Sequence, residues 1–127
     1  VKLLLDTCTF LWLAGGSPLS PAAAAAVREP SNDVYLSAVS TWEIVTKYRA
    51  GRLPLPEPPD RLIPTERRLR GVTALPFDEE SALYGLRLPA LHRDPFDRLL
   101  IAHAIGLGLA IVTPDPAIAQ YPVRVIW

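Results

Sequence analysis

Four acidic residues stand where secondary-structure elements should meet. Asp6 follows the apolar run Val1-Lys2-Leu3-Leu4-Leu5, Glu43 and Asp97 open helical patterns, and Asp115 comes just after Ile111-Val112-Thr113. In a parallel α/β sheet the strand C-termini and the following helix N-termini share one edge, so residues remote in sequence can meet there. Carboxylates that converge repel each other and require a cation, and hard divalent ions such as Mg²⁺ or Mn²⁺ take oxygen ligands. The chemistry implied is metal-assisted work on phosphate.

Each acid also has a local explanation. Ser40-x-x-Glu43 is a capping-box pattern, in which Glu43 would reach back to the Ser40 backbone N–H. Asp94-Pro95-Phe96-Asp97 is similar, with Asp94 as the cap, Pro95 in the first turn and Asp97 three residues after the cap. Asp115, between two prolines, has the chemistry of a turn former. Asp6 is the hardest to explain locally, because nothing near it in sequence needs a carboxylate. Capping explains the acids one at a time, whereas a shared cation explains why all four sit at boundaries that one sheet edge would collect.

The residues around them admit two readings each. Lys47, four residues after Glu43, suits an i,i+4 ion pair, and a lysine beside a metal cluster could also touch phosphate. Arg93 and Arg98 flank Asp94 and Asp97, while Arg49 and Arg52 follow the Glu43 helix; they form either a basic rim for a nucleic-acid backbone or solvated surface. His92 could approach the site. His103 reads as a satisfied interior histidine and Cys8 as a small packed residue. No Ser/His/Asp spacing and no glycine-rich phosphate loop occurs, so triad hydrolysis and nucleotide binding lack support.

The elements that must position these groups can be read from apolar periodicity. Leu3 to Leu5 is a short run of the kind buried on both faces of a parallel sheet, and is expected to be the central strand. Thr9 to Ala14 reads as a short helix stopped at Gly15-Gly16. Ser20-Pro21 should open a second helix through the alanine run, with Ser20 as cap and Pro21 at the first position. Strands are expected at Val34 to Leu36, Val72 to Leu75, Ala110 to Val112 and Val123 to Ile126. Further helices should start at Ser40 and run to Gly51, span Asp60 to Arg70 despite Pro64, begin at Asp78-Glu79-Glu80, and run from Asp94-Pro95 to Gly106 or Gly108. Pro54 to Pro59 reads as a connector. Alternating strands and helices predict a three-layer α/β architecture with a parallel sheet of about five strands.

Composition narrows the function classes. At 127 residues the chain is the size of one domain with one core. Half its residues are hydrophobic and its formal net charge is zero, which excludes a disordered tail and a protein that holds polyanions by bulk charge. Nucleic-acid contact would have to be local. A single cysteine excludes an internal disulfide, and no Cys/His spacing fits a structural zinc site. No apolar stretch approaches the roughly 20 residues that cross a bilayer, and the start lacks a signal-peptide pattern, so a cytoplasmic protein is expected.

Several segments together resemble a known family: Leu4-Leu5-Asp6-Thr7; Ser37 to Ile44 with Lys47 and Gly51-Arg52-Leu53; His92 to Ala102; and Val112-Thr113-Pro114-Asp115. They are similar to PIN-domain ribonucleases, and most of all to VapC-type toxins of bacterial toxin-antitoxin systems. The likeness spans almost the whole chain. It implies one PIN-like α/β/α domain over residues 1–127, with a mostly parallel sheet, acting as a Mg²⁺- or Mn²⁺-dependent endoribonuclease. It also implies a homodimer whose acidic pocket a cognate antitoxin neutralises. By motif position Asp6, Glu43 and Asp97 would be the core metal-binding acids, Asp115 the fourth, and Thr7 and Thr113 the pocket wall. Asp94 belongs to the motif but looks like a helix cap. Cys8 and His103 stand where similar proteins commonly carry histidine and glutamine. Lys47, Arg93 or Arg98 would position the RNA backbone, and sequence choice would rest on unpaired bases in loops.

Other functions fit less well. A phosphatase with an aspartyl nucleophile would need a second acid two residues after Asp6, where Cys8 stands. A receiver-type phosphoacceptor would need an acid after the third strand, where Leu75-Pro76-Phe77 offers none. The non-enzymatic alternative is an inert PIN-like binding module whose acids are caps and whose role is complex formation. The apolar first helix, Phe10 to Leu13, could serve the core, an antitoxin segment or a second protomer.

Overall fold

The structure, a computed structural model, describes residues 1–91 and 94–127. The opening apolar run forms strand β1 (Lys2–Leu5), and the chain turns at Asp6 directly into helix α1 (Thr7–Ala14). Helix α2 (Pro21–Arg28) starts as its sequence requires: the Ser20 side chain accepts from the Ala23 N–H and Pro21 occupies the first turn. Strand β2 (Asp33–Ser37) passes straight into helix α3 (Ala38–Arg49), followed by the proline-rich connector and helix α4 (Pro59–Arg70). Pro64 lies inside α4; the Asp60 carbonyl loses its helical donor there, and Asp60 is exposed to water. Strand β3 (Val72–Leu75), helix α5 (Glu79–Tyr84) and a 3₁₀ turn at Gly85–Arg87 precede helix α6 (Pro95–Leu107). Gly108 closes α6 in the left-handed conformation, φ 69°, where a side chain would be strained. Strand β4 (Ala110–Val112), the one-turn helix α7 (Pro116–Ala119) and strand β5 (Val125–Ile126) complete the order.

The five strands form one sheet, β3-β2-β1-β4-β5, with every pair parallel. As expected, β1 is central; its Leu3 pairs with Val34 of β2 and with Ala110 of β4. Side chains alternate across the sheet. Leu3 and Leu5 pack with Phe10, Ala23, Ile44 and Ile63 from α1 to α4, while Leu4 packs with Leu100, Ile101, Ala104 and Ile118 from α6 and α7. This is the three-layer arrangement expected from the sequence. Burying side chains such as Phe10 and Ile101, both fully enclosed, contributes about 1.5–3 kcal/mol each. No helix among the described residues is long and apolar enough to cross a membrane.

Three local expectations are corrected. Helix α3 begins at Ala38 and is capped by Ser37, whose hydroxyl accepts from the Val39 N–H. Ser40 therefore lies within the first turn, Glu43 lies in the second, and the capping-box reading of that pair fails. The Pro114-Asp115-Pro116 segment opens helix α7 and is more than a turn. Strand β5 covers only Val125–Ile126, and the Val123 N–H donates to the Tyr121 carbonyl in the segment before it. Of the two glycines expected to end α6, Gly108 does so.

Candidate active site

Asp6, Glu43, Asp97 and Asp115 line one cleft of about 240 Å³, together with Thr7, Cys8, Lys47 and Asp94, against an apolar wall of Leu11, Ile44 and Leu53. The fold brings them together as a parallel sheet does: Asp6 ends the central strand, Asp115 follows the adjacent β4, and Glu43 and Asp97 project from α3 and α6.

Asp6 is almost fully buried. Its Oδ1 accepts from the Thr7 N–H at 2.7 Å, which makes it the cap of α1; a local need for this carboxylate thus exists that the sequence did not reveal. Its Oδ2 accepts from the Thr113 hydroxyl at 2.6 Å and the Cys8 thiol at 3.5 Å. Burial pushes the Asp6 pKa above its ordinary value, with the Glu43 charge adding to the rise and these hydrogen bonds opposing it. Thr113 is a bridge: it donates to Asp6 and accepts from the Asp115 N–H at 3.1 Å. Asp115 in turn caps α7 by accepting from the Ala117 N–H at 2.9 Å.

Glu43, also buried, is held on both oxygens. The Thr7 hydroxyl lies 2.8 Å from Glu43 Oε1 and 2.8 Å from the Ser40 hydroxyl. One hydroxyl proton serves each bond, so Ser40 donates to Thr7 and Thr7 donates to Glu43. The Lys47 ammonium pairs with Glu43 Oε2. This is the i,i+4 ion pair read from spacing, and the Glu43 bond raises the Lys47 pKa, with the charges of Asp94 and Asp97 adding to it. Asp94 caps α6 through the Phe96 and Asp97 N–H groups at 2.9 and 3.3 Å, as its place in the sequence indicated.

The remaining expectations divide. Arg98 is not brought to the cleft: its Nη1 donates to the Pro89 carbonyl at 3.0 Å and lies 3.3 Å from the Tyr121 hydroxyl. His92 and Arg93 lie outside the described residues. Cys8 is more than a packed residue, since it lines the cleft with its thiol on Asp6, and burial pushes its pKa up to about 12, so it stays protonated. Sequence reasoning missed Ser40 as a support for Glu43; its only sequence signal was a place one turn before the acid, which the cap reading absorbed. His103 is interior as expected, with Nδ1 2.9 Å from Ser37 Oγ and Nε2 3.9 Å from Asp78 Oδ1.

Among the described residues no group of three or more acidic, histidine or cysteine side chains stands, as placed, where it could hold a metal ion. The donor set still fits a hard divalent ion: the cleft offers carboxylate oxygens from four elements, it sets one buried carboxylate against another, and it already draws the Lys47 ammonium in among them.

Residues 3–123 match the model of the PIN domain. A curated relative, Ribonuclease VapC16 of Mycobacterium tuberculosis, is 43% identical over 54 residues, which cover 42% of this chain and 38% of that protein; the matched part is thus well under half of the relative's length. Among solved structures, VapBC2 from Rickettsia felis, bound to a DNA fragment from their promoter, matches with a TM-score of 0.75 at 17% identity, over 98% of this chain and 97% of that one. VapBC-5 from Mycobacterium tuberculosis, a member of the VapBC family of toxin-antitoxin systems, matches with a TM-score of 0.61 at 20% identity, over 98% and 94% of the two chains.

Proposed function

The chain belongs to the PIN domain family, and from that premise we propose that it is a metal-dependent endoribonuclease of the VapC type, a cytoplasmic toxin neutralised by a cognate antitoxin and acting as a homodimer. The observation that carries this reading is the convergence of Asp6, Glu43, Asp97 and Asp115 on one cleft from four separate elements. The partial sequence match to a ribonuclease and the fold shared with VapBC proteins support it.

Asp6, Glu43 and Asp97, with Asp115, would hold Mg²⁺ or Mn²⁺. When bound, such an ion polarises the phosphodiester and lowers the pKa of a water that attacks it. The chain's own groups do the rest. Thr113 and Thr7 fix the carboxylates of Asp6 and Glu43, so that the acids need little reorganisation on binding. Lys47 holds positive charge at the cleft and can pass from Glu43 to a substrate phosphate. No side chain is needed as nucleophile: the hydroxyls of Thr7 and Ser40 are committed to hydrogen bonds, and the Cys8 thiol is held protonated. With zero net charge, RNA affinity would be modest and salt-sensitive.

The test is cleavage of a panel of structured RNAs by antitoxin-free protein with Mg²⁺, Mn²⁺ or chelator, beside Asp6→Asn and Asp97→Asn. Metal-dependent cutting lost in both variants is expected. A second reading, an inert binding module, draws on the fact that Asp6, Asp94 and Asp115 all cap helices. Folded protein that neither cuts any RNA nor binds metal would establish it.

A further inference from the structure

Helices α3 and α6 carry Glu43 and Asp97 and pack against each other. Away from the cleft they are joined by a second, uncharged contact between Ser37 Oγ and His103 Nδ1, at 2.9 Å, both side chains fully buried. Ser37 also accepts the Val39 N–H at 3.0 Å and retains a proton that it can donate to Nδ1. In the tautomer that receives it, Nε2 carries the imidazole proton and faces Asp78 Oδ1 at 3.9 Å, while the edge-to-face Phe77 ring, its centroid 4.9 Å away, borders the imidazole. Ser37 stands six residues before Glu43 and His103 six residues after Asp97. The contact therefore ties each helix at a point about 9 Å along its axis from the acid it carries.

Two helices that present like charges to one cleft are pushed apart at that end. A metal site needs its ligands held to within about 0.5 Å, and the Ser37–His103 bond spans from the start of α3 to α6. We propose that Ser37 and His103 are positioning residues whose buried hydrogen bond sets the spacing of Glu43 and Asp97, and with it the cation affinity of the cleft. The inference rests on the metal-dependent reading above and adds the residues that regulate its geometry.

The test is calorimetric titration of the full chain with Mn²⁺ alone, alongside a thermal melt. His103→Leu fills the space but cannot accept the Ser37 proton; its Mn²⁺ Kd should weaken about tenfold, the usual range for loss of an outer support, while the melt stays cooperative. His103→Gln offers an amide oxygen to the same hydroxyl and should restore affinity. If His103→Leu does not fold, Ser37→Ala, which leaves the imidazole in place, should show the same loss. Wild-type affinity in the folded variant, or equal losses in His103→Leu and His103→Gln, overturns the inference while leaving the nuclease reading intact. A wild-type protein that binds no Mn²⁺ and cuts no RNA overturns both.

Discussion

Replacing Thr113 by valine would test whether the cleft is held together as its hydrogen bonds indicate. Thr113 is 1% exposed, and the change keeps the side chain's shape while removing one hydroxyl that serves two partners. Asp6 Oδ2 would keep only the weak Cys8 thiol, and the Asp115 N–H would lose its acceptor. A hydrogen bond to a buried carboxylate is worth about 1.5–3 kcal/mol, and a neutral one about 1 kcal/mol. The variant should therefore lose about 2.5–4 kcal/mol, or about 10–16 °C in Tm for a domain of this size. A second effect separates this from ordinary core damage. Thr113 is the largest of the influences lowering the Asp6 pKa, so its loss lets burial raise that pKa further. Because a ligand must be deprotonated to hold a cation, the pH midpoint of Mn²⁺ binding should move to higher pH. A melt within about 2 °C of wild type, or an unmoved midpoint, would refute the reasoning.

Asp6→Asn should behave in the opposite sense. A carboxyl whose folded-state pKa is raised costs stability as pH rises from its ordinary value of 3.8 through the folded value; removing the charge should raise Tm at pH 7 relative to wild type, with the gain gone near pH 4. For His103 the shift runs downward, chiefly through burial, against the opposing pull of Asp78 and the Pro76 carbonyl. The unfolded chain then takes up a proton first, so stability should fall as pH drops below about 6.5 and level off below the folded value, and melts across that window should show the loss in wild type but not in His103→Gln. Lys47→Met removes a competitor for Glu43 Oε2. For a pair whose lysine side chain is 43% exposed, tighter Mn²⁺ binding by about two- to fivefold is expected, together with weaker RNA cleavage, measured by calorimetry and gel assay.

Most of the scaffold was legible because it rests on local patterns. The Leu3 to Leu5 run, the Ser20-Pro21 and Asp94-Pro95 helix starts and the β3 and β4 runs all carry their own signals, and each formed where those signals lie. The convergence of the acids was legible only through topology, since nothing local joins residue 6 to residue 115. What stayed hidden depended on tertiary context. Ser37 and Ser40 are both plausible caps, and the choice turned on how far β2 extends before the chain bends. Helix α7 is a single turn, too short to show a period. Asp6 capping α1 required knowing that helix starts immediately after the strand. His103 and Cys8 are lone residues whose partners lie across the fold.

The central β1–β4 pairing has a consequence in time. Asp6 meets Val112 and Thr113 across more than a hundred residues of chain, and the cleft has no complete set of acids until Asp115 has emerged from the ribosome. At about 5–20 residues per second, the segment from Asp6 to Asp115 takes roughly 5–20 s to synthesise. For the later part of that interval the nascent chain carries Asp6 and Glu43 without the strand that completes the site. A growing polypeptide with this layout cannot assemble the four-acid cleft before residue 115 has been made.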